Sequence, residues 1–256
     1  MAQIGIAGDW HGDAMSAIPM LKRLKQEGIT DIYHLGDFGF YDDRDGVKYL
    51  RAVTRQLKLY GQKLWVTLGN HENYDMIEAL PVSEDGVRVF NEHIAILPRG
   101  YRWDIDGTSF VSLGGAASVN FTSLKEGKSW WPAEAITPGD VLKTGSGGYA
   151  DVMLTHEAPL GIKMIEDLKE ASKDEWVPLE LAYSHHSQTL LTYAVETVRP
   201  KMLFHGHFHV GYKEDVLFVD DDGQGFSTSV YGMNMNRHSR NIGVFNTVDH
   251  SFVWVN

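Results

Sequence analysis

The first seventy residues alternate short apolar runs with amphipathic ones, and this alternation limits the fold more than any other feature. The run 2–7 (AQIGIA) is expected to be a buried strand ending at Gly8, and 13–27 (DAMSAIPMLKRLKQE) a helix that Gly28 stops. A second strand is expected at DIYHL (31–35), a second helix from Val47 to Tyr60 and a third strand at KLWVTL (63–68). Strands joined through helices return in the same direction, so a parallel sheet is expected. Later strands are placed at 101–105, 108–113, 151–155, 201–205, 213–219, 226–231, 241–247 and 251–255, which makes the tail mostly antiparallel. Two more helices fit 159–171 and 186–198, while 114–150, rich in Gly, Ser and Thr, reads as an irregular excursion. No linker interrupts the chain, so residues 1–256 are expected to form a single domain.

Composition narrows the chemistry. At 43% hydrophobic residues the chain can bury a sizeable core. It has no apolar run near the roughly 18 residues of a membrane span, and MAQIGIAGDW lacks the pattern of a signal peptide. A cytoplasmic protein without membrane contact is the expectation. The chain has no cysteine, so any metal must be held by imidazole, carboxylate, amide or water. A formal charge of −11 argues against a partner that is extended nucleic acid, because that binding needs many Lys and Arg on phosphates. It leaves open a small phosphate ester, since cations bound among carboxylates reverse the local field.

In α/β sheets ligands sit at the carboxyl ends of parallel strands. Five expected strand ends carry polar residues there: Asp9 and His11, then Asp37, then Asn70 and His71, then His156, then His207 and His209. Each alone reads as a turn or a hydrogen-bonded histidine. As an ordered set, GDWHG (8–12), GDFG (36–39), GNHE (69–72), THEAP (155–159) and GHFH (206–209), they resemble the calcineurin-like metallophosphoesterase superfamily.

The resemblance implies a four-layer αββα sandwich, two mixed β-sheets flanked by helices. It implies two divalent ions, manganese as first choice with iron, zinc, nickel or cobalt as alternatives. Asp9, His11 and His209 would hold one ion, Asn70, His156 and His207 the other, and Asp37 would bridge. His71 would be no ligand; it would give a proton to the leaving oxygen, the alternative being a supporting hydrogen bond. Neutral imidazoles and an amide hold a cation without cancelling its charge, so a bridging water can ionise near neutral pH and attack phosphorus in line. The expected activity is that of a metal-dependent phosphoesterase, a phosphodiesterase on small nucleotide-like esters ahead of a phosphomonoesterase. From a different class comes a metal-binding scaffold that keeps the fold without turnover.

The sequence departs from one branch of that superfamily. Protein phosphatases carry GDxxDR, whose Asp orients the histidine and whose Arg grips phosphate; here Phe40 and Tyr41 stand in those places. Asp42, Asp43 or a backbone carbonyl is then left to orient His71, and Arg99, Arg102, Arg237 or Arg240 to supply a cation. GDFGF, GNHEN and GKSWWPAE further resemble a bacteriophage and bacterial group, which would put Ser118, Trp130 and Trp131 on the active-site wall; the alternative is that the tryptophans plug the core. His34 and His205 read as packed or supporting residues and His185 and His186 as caps of the helix that follows them. His93, His238 and His250 show no partner pattern.

Overall fold

A computed structural model describes residues 3–220 and 222–255; Ala2, where the first strand was expected to begin, and Asn256 lie outside them. The first seventy residues fold as the alternation requires, into β1 (Gln3–Ala7), α1 (Ala14–Gln26), β2 (Asp31–His34), α2 (Arg44–Tyr60) and β3 (Lys63–Thr67). Helix α1 begins where the Asp13 side chain accepts the Met15 N–H. Helix α2 starts three residues earlier than expected because Asp43 caps it, accepting from Asp45 and Gly46, and it ends at Gly61 in the left-handed region.

Short elements follow, namely α3 (Tyr74–Glu78), β4 (Arg88–Asn91), β5 (Ile94–Leu97), β6 (Tyr101–Ile105) and β7 (Thr108–Leu113). The region read as an irregular excursion contains a helix, α4 (Pro138–Gly145), with a capping box between Thr137 and Asp140 and a proline in its first turn. Then come β8 (Val152–Thr155), α5 (Lys163–Ser172) and α6 (Pro178–Val198). Helix α6 begins eight residues before the expected start, so His185 and His186 are exposed side chains inside it and cap nothing. The chain closes with β9 (Met202–His205), β10 (Tyr212–Val219), β11 (Gly225–Gly232), β12 (Ile242–Asn246) and β13 (Phe252–Trp254).

The strands form two mixed sheets, ordered β13-β12-β1-β2-β3-β5-β4 and β10-β11-β9-β8-β7-β6. In the first, β1, β2, β3 and β5 run parallel; in the second, β7, β8, β9 and β11 do. Ile4, Ile6, Tyr33 and Leu35 of one sheet meet Phe110, Val152, Leu154 and Phe204 of the other in a buried layer. On the outer face of the first sheet, Leu21, Leu24, Val53 and Leu57 of α1 and α2 pack with Ile32, Leu64 and Val66. On the second, Ile165, Leu191, Val195 and Val198 of α5 and α6 pack with Met153 and Leu203. Each fully buried aliphatic side chain contributes on the order of 1.5–3 kcal/mol. The result is the four-layer helix-sheet-sheet-helix sandwich that was expected, and it brings the carboxyl ends of β1, β2, β3, β8 and β9 together.

Candidate functional site

Every polar residue singled out at those strand ends lies in one cluster. Asp9, His11, Asp37 and His209 each offer a ligand atom, and these atoms lie within 4.8 Å of one another. The Nε2 atom of His209 is 3.1 Å from Asp9 Oδ2, and that of His11 is 3.4 Å from Asp37 Oδ2. On the other side of Asp37, its Oδ1 is 3.4 Å from His156 Nε2. Asn70 Oδ1 sits 2.9 Å from His156 Nε2 and 3.0 Å from His207 Nδ1. Two groups of donors therefore share the Asp37 carboxylate. His71 lies at the rim, its ring 6.0 Å from that of His11 and its backbone N–H donating to Asp37 Oδ1 at 2.9 Å.

The backbone is bent hard to achieve this. His11, Asp37, His207 and His209 all have positive φ, between 47° and 66°, at a cost of about 1–2 kcal/mol each for a residue with a Cβ. Cross-loop hydrogen bonds hold the bends: Trp10 and His11 donate to Asp37 O, Asn236 donates to Asp9 O, and His207 N donates to Asp9 Oδ2 at 3.0 Å. Gly36, at φ +100°, leaves room where a Cβ would stand 2.5 Å from His156 Nδ1, and at Gly206 a Cβ would fall on Asp9 Oδ1. Glycine precedes Asp9, Asp37, Asn70 and His207, where atoms from several loops converge.

The cluster suits divalent cations. Asp9 and Asp37 are buried, none of the ion pairs among the described residues gives either a Lys or Arg partner, and Asp9 Oδ1 has no hydrogen-bond partner. Two carboxylates buried that way require positive charge. Burial disfavours the charged His11 ring most, but the hydrogen bond and charge of Asp37, with Asp9, outweigh it and raise the pKa to about 9. His156 is raised to about 10, with burial again opposed by Asp37 and then Asp9. The pull on these protons is the pull a metal would feel, and metal binding to such rings displaces them.

A profile of the calcineurin-like phosphoesterase family matches residues 2–211. The chain belongs to that family. None of the curated proteins matches its sequence. Among solved structures, the calcineurin-like phosphoesterase described here is similar in fold to the protein TT1561 of Thermus thermophilus, at 10% identity and a TM-score of 0.57, over 99% of this chain and 98% of that one. It is similar likewise to a dimetal phosphatase from Danio rerio, at 10% identity and a TM-score of 0.53, over 98% and 94% of the two chains.

Around the cluster, this calcineurin-like phosphoesterase orients the candidate metal-holding side chains through Leu35, Asn236, Glu72, Glu134 and Ser118, of which Ser118 alone was expected near the site. His156 Nδ1 lies 2.6 Å from Leu35 O, which turns Nε2 inward, and His11 Nδ1 is 3.1 Å from Asn236 Oδ1. The buried Glu72 accepts from the N–H groups of Phe38 and Gly69 and so ties the Asp37 loop to the Asn70 loop; burial, with Asp37 nearby, pushes its pKa up to about 7. Glu134, also buried and raised to about 7 by burial, accepts from Ser118 and Trp130. Ser118 in turn accepts from the Asn70 amide at 2.9 Å, which leaves Asn70 Oδ1 to face the histidines.

Of the wall expected of Ser118, Trp130 and Trp131, Trp131 lines the cleft beside His71, and the other two are placed otherwise. Ser118 is 2% exposed and backs Asn70. Trp130 leans on Phe121 and Glu134, and Trp131, largely buried, donates to Asp75 while one face lines the cleft beside His71. His34 is buried against Trp10 and Phe38, and His205 lies beside the Tyr212 hydroxyl, as packed residues should. Both ring nitrogens of His34 lack a hydrogen-bond partner among the described residues, and nothing in its surroundings explains this.

Proposed function

We propose that this protein hydrolyses phosphodiesters carrying a nucleotide-like substituent, with Asp9, His11 and His209 holding one divalent ion, Asn70, His156 and His207 the other, and Asp37 between them. Manganese is the first choice of metal, and iron, zinc, nickel and cobalt suit the same mixed oxygen and nitrogen set. When bound, the ions supply positive charge toward the phosphoryl oxygens and a water acidic enough to ionise near neutral pH. The protein's own part is orientation and proton transfer. Glu134, through Ser118, pins the Asn70 amide; Leu35 O and Asn236 pin the His156 and His11 rings. His71 faces a cleft of about 320 Å³ bordered by Tyr41, Asp42, Asp43, Lys128 and Trp131. From there its ring delivers a proton to the departing ester oxygen, which leaves as the alcohol.

The observation that carries the diester reading is where the four candidate arginines go. Arg99 is spent on the carbonyls of Gly114, Ala133, Glu134 and Ala135 and on Asp140. Arg102 is spent on the carbonyls of Thr144, Gly148 and Tyr149. Arg237 pairs with Asp13, and Arg240 donates to Gly211 O and covers Trp254. Phe40 is a core residue packed on Phe38 and Phe90. A monoester dianion asks for a guanidinium fork; a diester, with one negative charge, asks less. Lys128, on the cleft beside His71, is the feature that favours a phosphomonoesterase instead.

With manganese supplied, bis(4-nitrophenyl) phosphate or a 2′,3′-cyclic nucleotide should be hydrolysed with a higher kcat/KM than the matching monoester. A monoester preference across several leaving groups would overturn the diester reading and leave the family untouched.

A further inference from the structure

A second cavity, of about 200 Å³, adjoins the ligand cluster at His207, and its other walls include Val119, Leu168, Trp176, Leu181 and Phe208. Leu168 is 43% exposed, and Trp176 and Phe208 are only half-buried. The polar groups at its edge are directed elsewhere: the Lys169 ammonium bonds to Gln188 Oε1, and the Ser172 hydroxyl to Leu168 O of its own helix. Besides Ser184 and His207, what the cavity offers a ligand is mainly carbon, including two aromatic rings. Large apolar side chains left partly open around a concavity, beside convergent polar groups, mark a binding site for an apolar group.

The cleft at His71 has the opposite character, with Tyr41, Asp42, Asp43, Lys128 and Ser129 on its walls, and the two share no lining residue. The proton donor defines the side from which the alcohol departs. The cavity at His207 is then left for the substituent that stays on phosphorus. We infer that this cavity holds the retained ester substituent of the substrate, and that this substituent is an aromatic ring or a planar base seated against Trp176 and Phe208. The inference rests on the diesterase reading, because a monoester has no second substituent.

The test compares two diesters with one leaving group, bis(4-nitrophenyl) phosphate and methyl 4-nitrophenyl phosphate, and measures calorimetrically how diphenyl phosphate and dimethyl phosphate bind the manganese-loaded protein. The aryl member of each pair should be favoured about tenfold, the scale of one good aromatic contact with its burial. Trp176→Ala and Leu168→Ala should each remove most of that preference through KM and Kd, leaving kcat and the methyl compounds almost unchanged. Equal handling of aryl and methyl compounds by the wild type, or equal losses on both in the variants, overturns the cavity assignment. Diester turnover without aryl preference does the same while the diesterase reading stands. Aryl-selective binding with no turnover of either diester refutes the diesterase reading, and with it the assignment of the cavity to a retained substituent.

Discussion

Asp37→Asn should abolish nearly all activity, by more than about 10³-fold, as expected when a preorganised group organising transition-state charge is lost. The substitution is close to isosteric, and asparagine is among the residues that best tolerate the positive φ of 50° found at this position. An amide oxygen can also still accept the His71 N–H. What disappears is one negative charge between His11 and His156. Elemental analysis of the same sample should show less than two equivalents of metal, with folding unchanged by circular dichroism. Full metal content at an unimpaired rate would remove Asp37 from the role of bridge.

His71→Ala should retain its metal and lose roughly 10²–10⁴-fold in kcat on esters with poor leaving groups, the range of general acid catalysis. On a nitrophenyl ester, whose leaving oxygen needs little protonation, the loss should be several-fold at most. The geometry separates the two functions, since the backbone N–H, not the ring, contacts Asp37, and alanine keeps that N–H. Equal losses on both kinds of ester would count against proton donation, and loss of metal would make the ring structural. No hydrogen bond to the His71 ring is present among the described residues, so the part expected of Asp42 or Asp43 is limited to lining the cleft it faces.

The clustering of these Asp, Asn and His side chains was legible because its information is local. Each apolar run ends in Gly-Asp, Gly-Asn-His, Thr-His or Gly-His, and parallel strands deliver those ends to one edge. What supports the cluster was not, because it is held by long-range contacts. Ser118 meets Asn70 across 48 residues and Asn236 meets His11 across 225, and nothing in either segment's periodicity points to its partner. Asn236 sits in GMNMNRHSRN, whose polar run reads as a solvated turn until β11 is seen to run parallel to β9.

Some misses had a signal. Thr137-Pro138-Gly139-Asp140 is a helix start, but glycines and serines on both sides obscured it. Pro178 likewise marks the beginning of α6. Strand β5 is four apolar residues, too short for periodicity to separate it from loop, and its pairing with β3 makes it a strand. The roles of Arg99 and Arg102 are not legible in the sequence, since a guanidinium that binds carbonyls and one that binds phosphate look alike there.

The proposed hydrolysis requires two divalent ions at one cluster. Protein stripped with a chelator and titrated with manganese, with bound metal and diester turnover followed together, tests this most directly. Turnover should be negligible in the stripped protein and reach its plateau at two bound equivalents per chain. Full turnover at one equivalent, or undiminished turnover in the stripped protein, would contradict it.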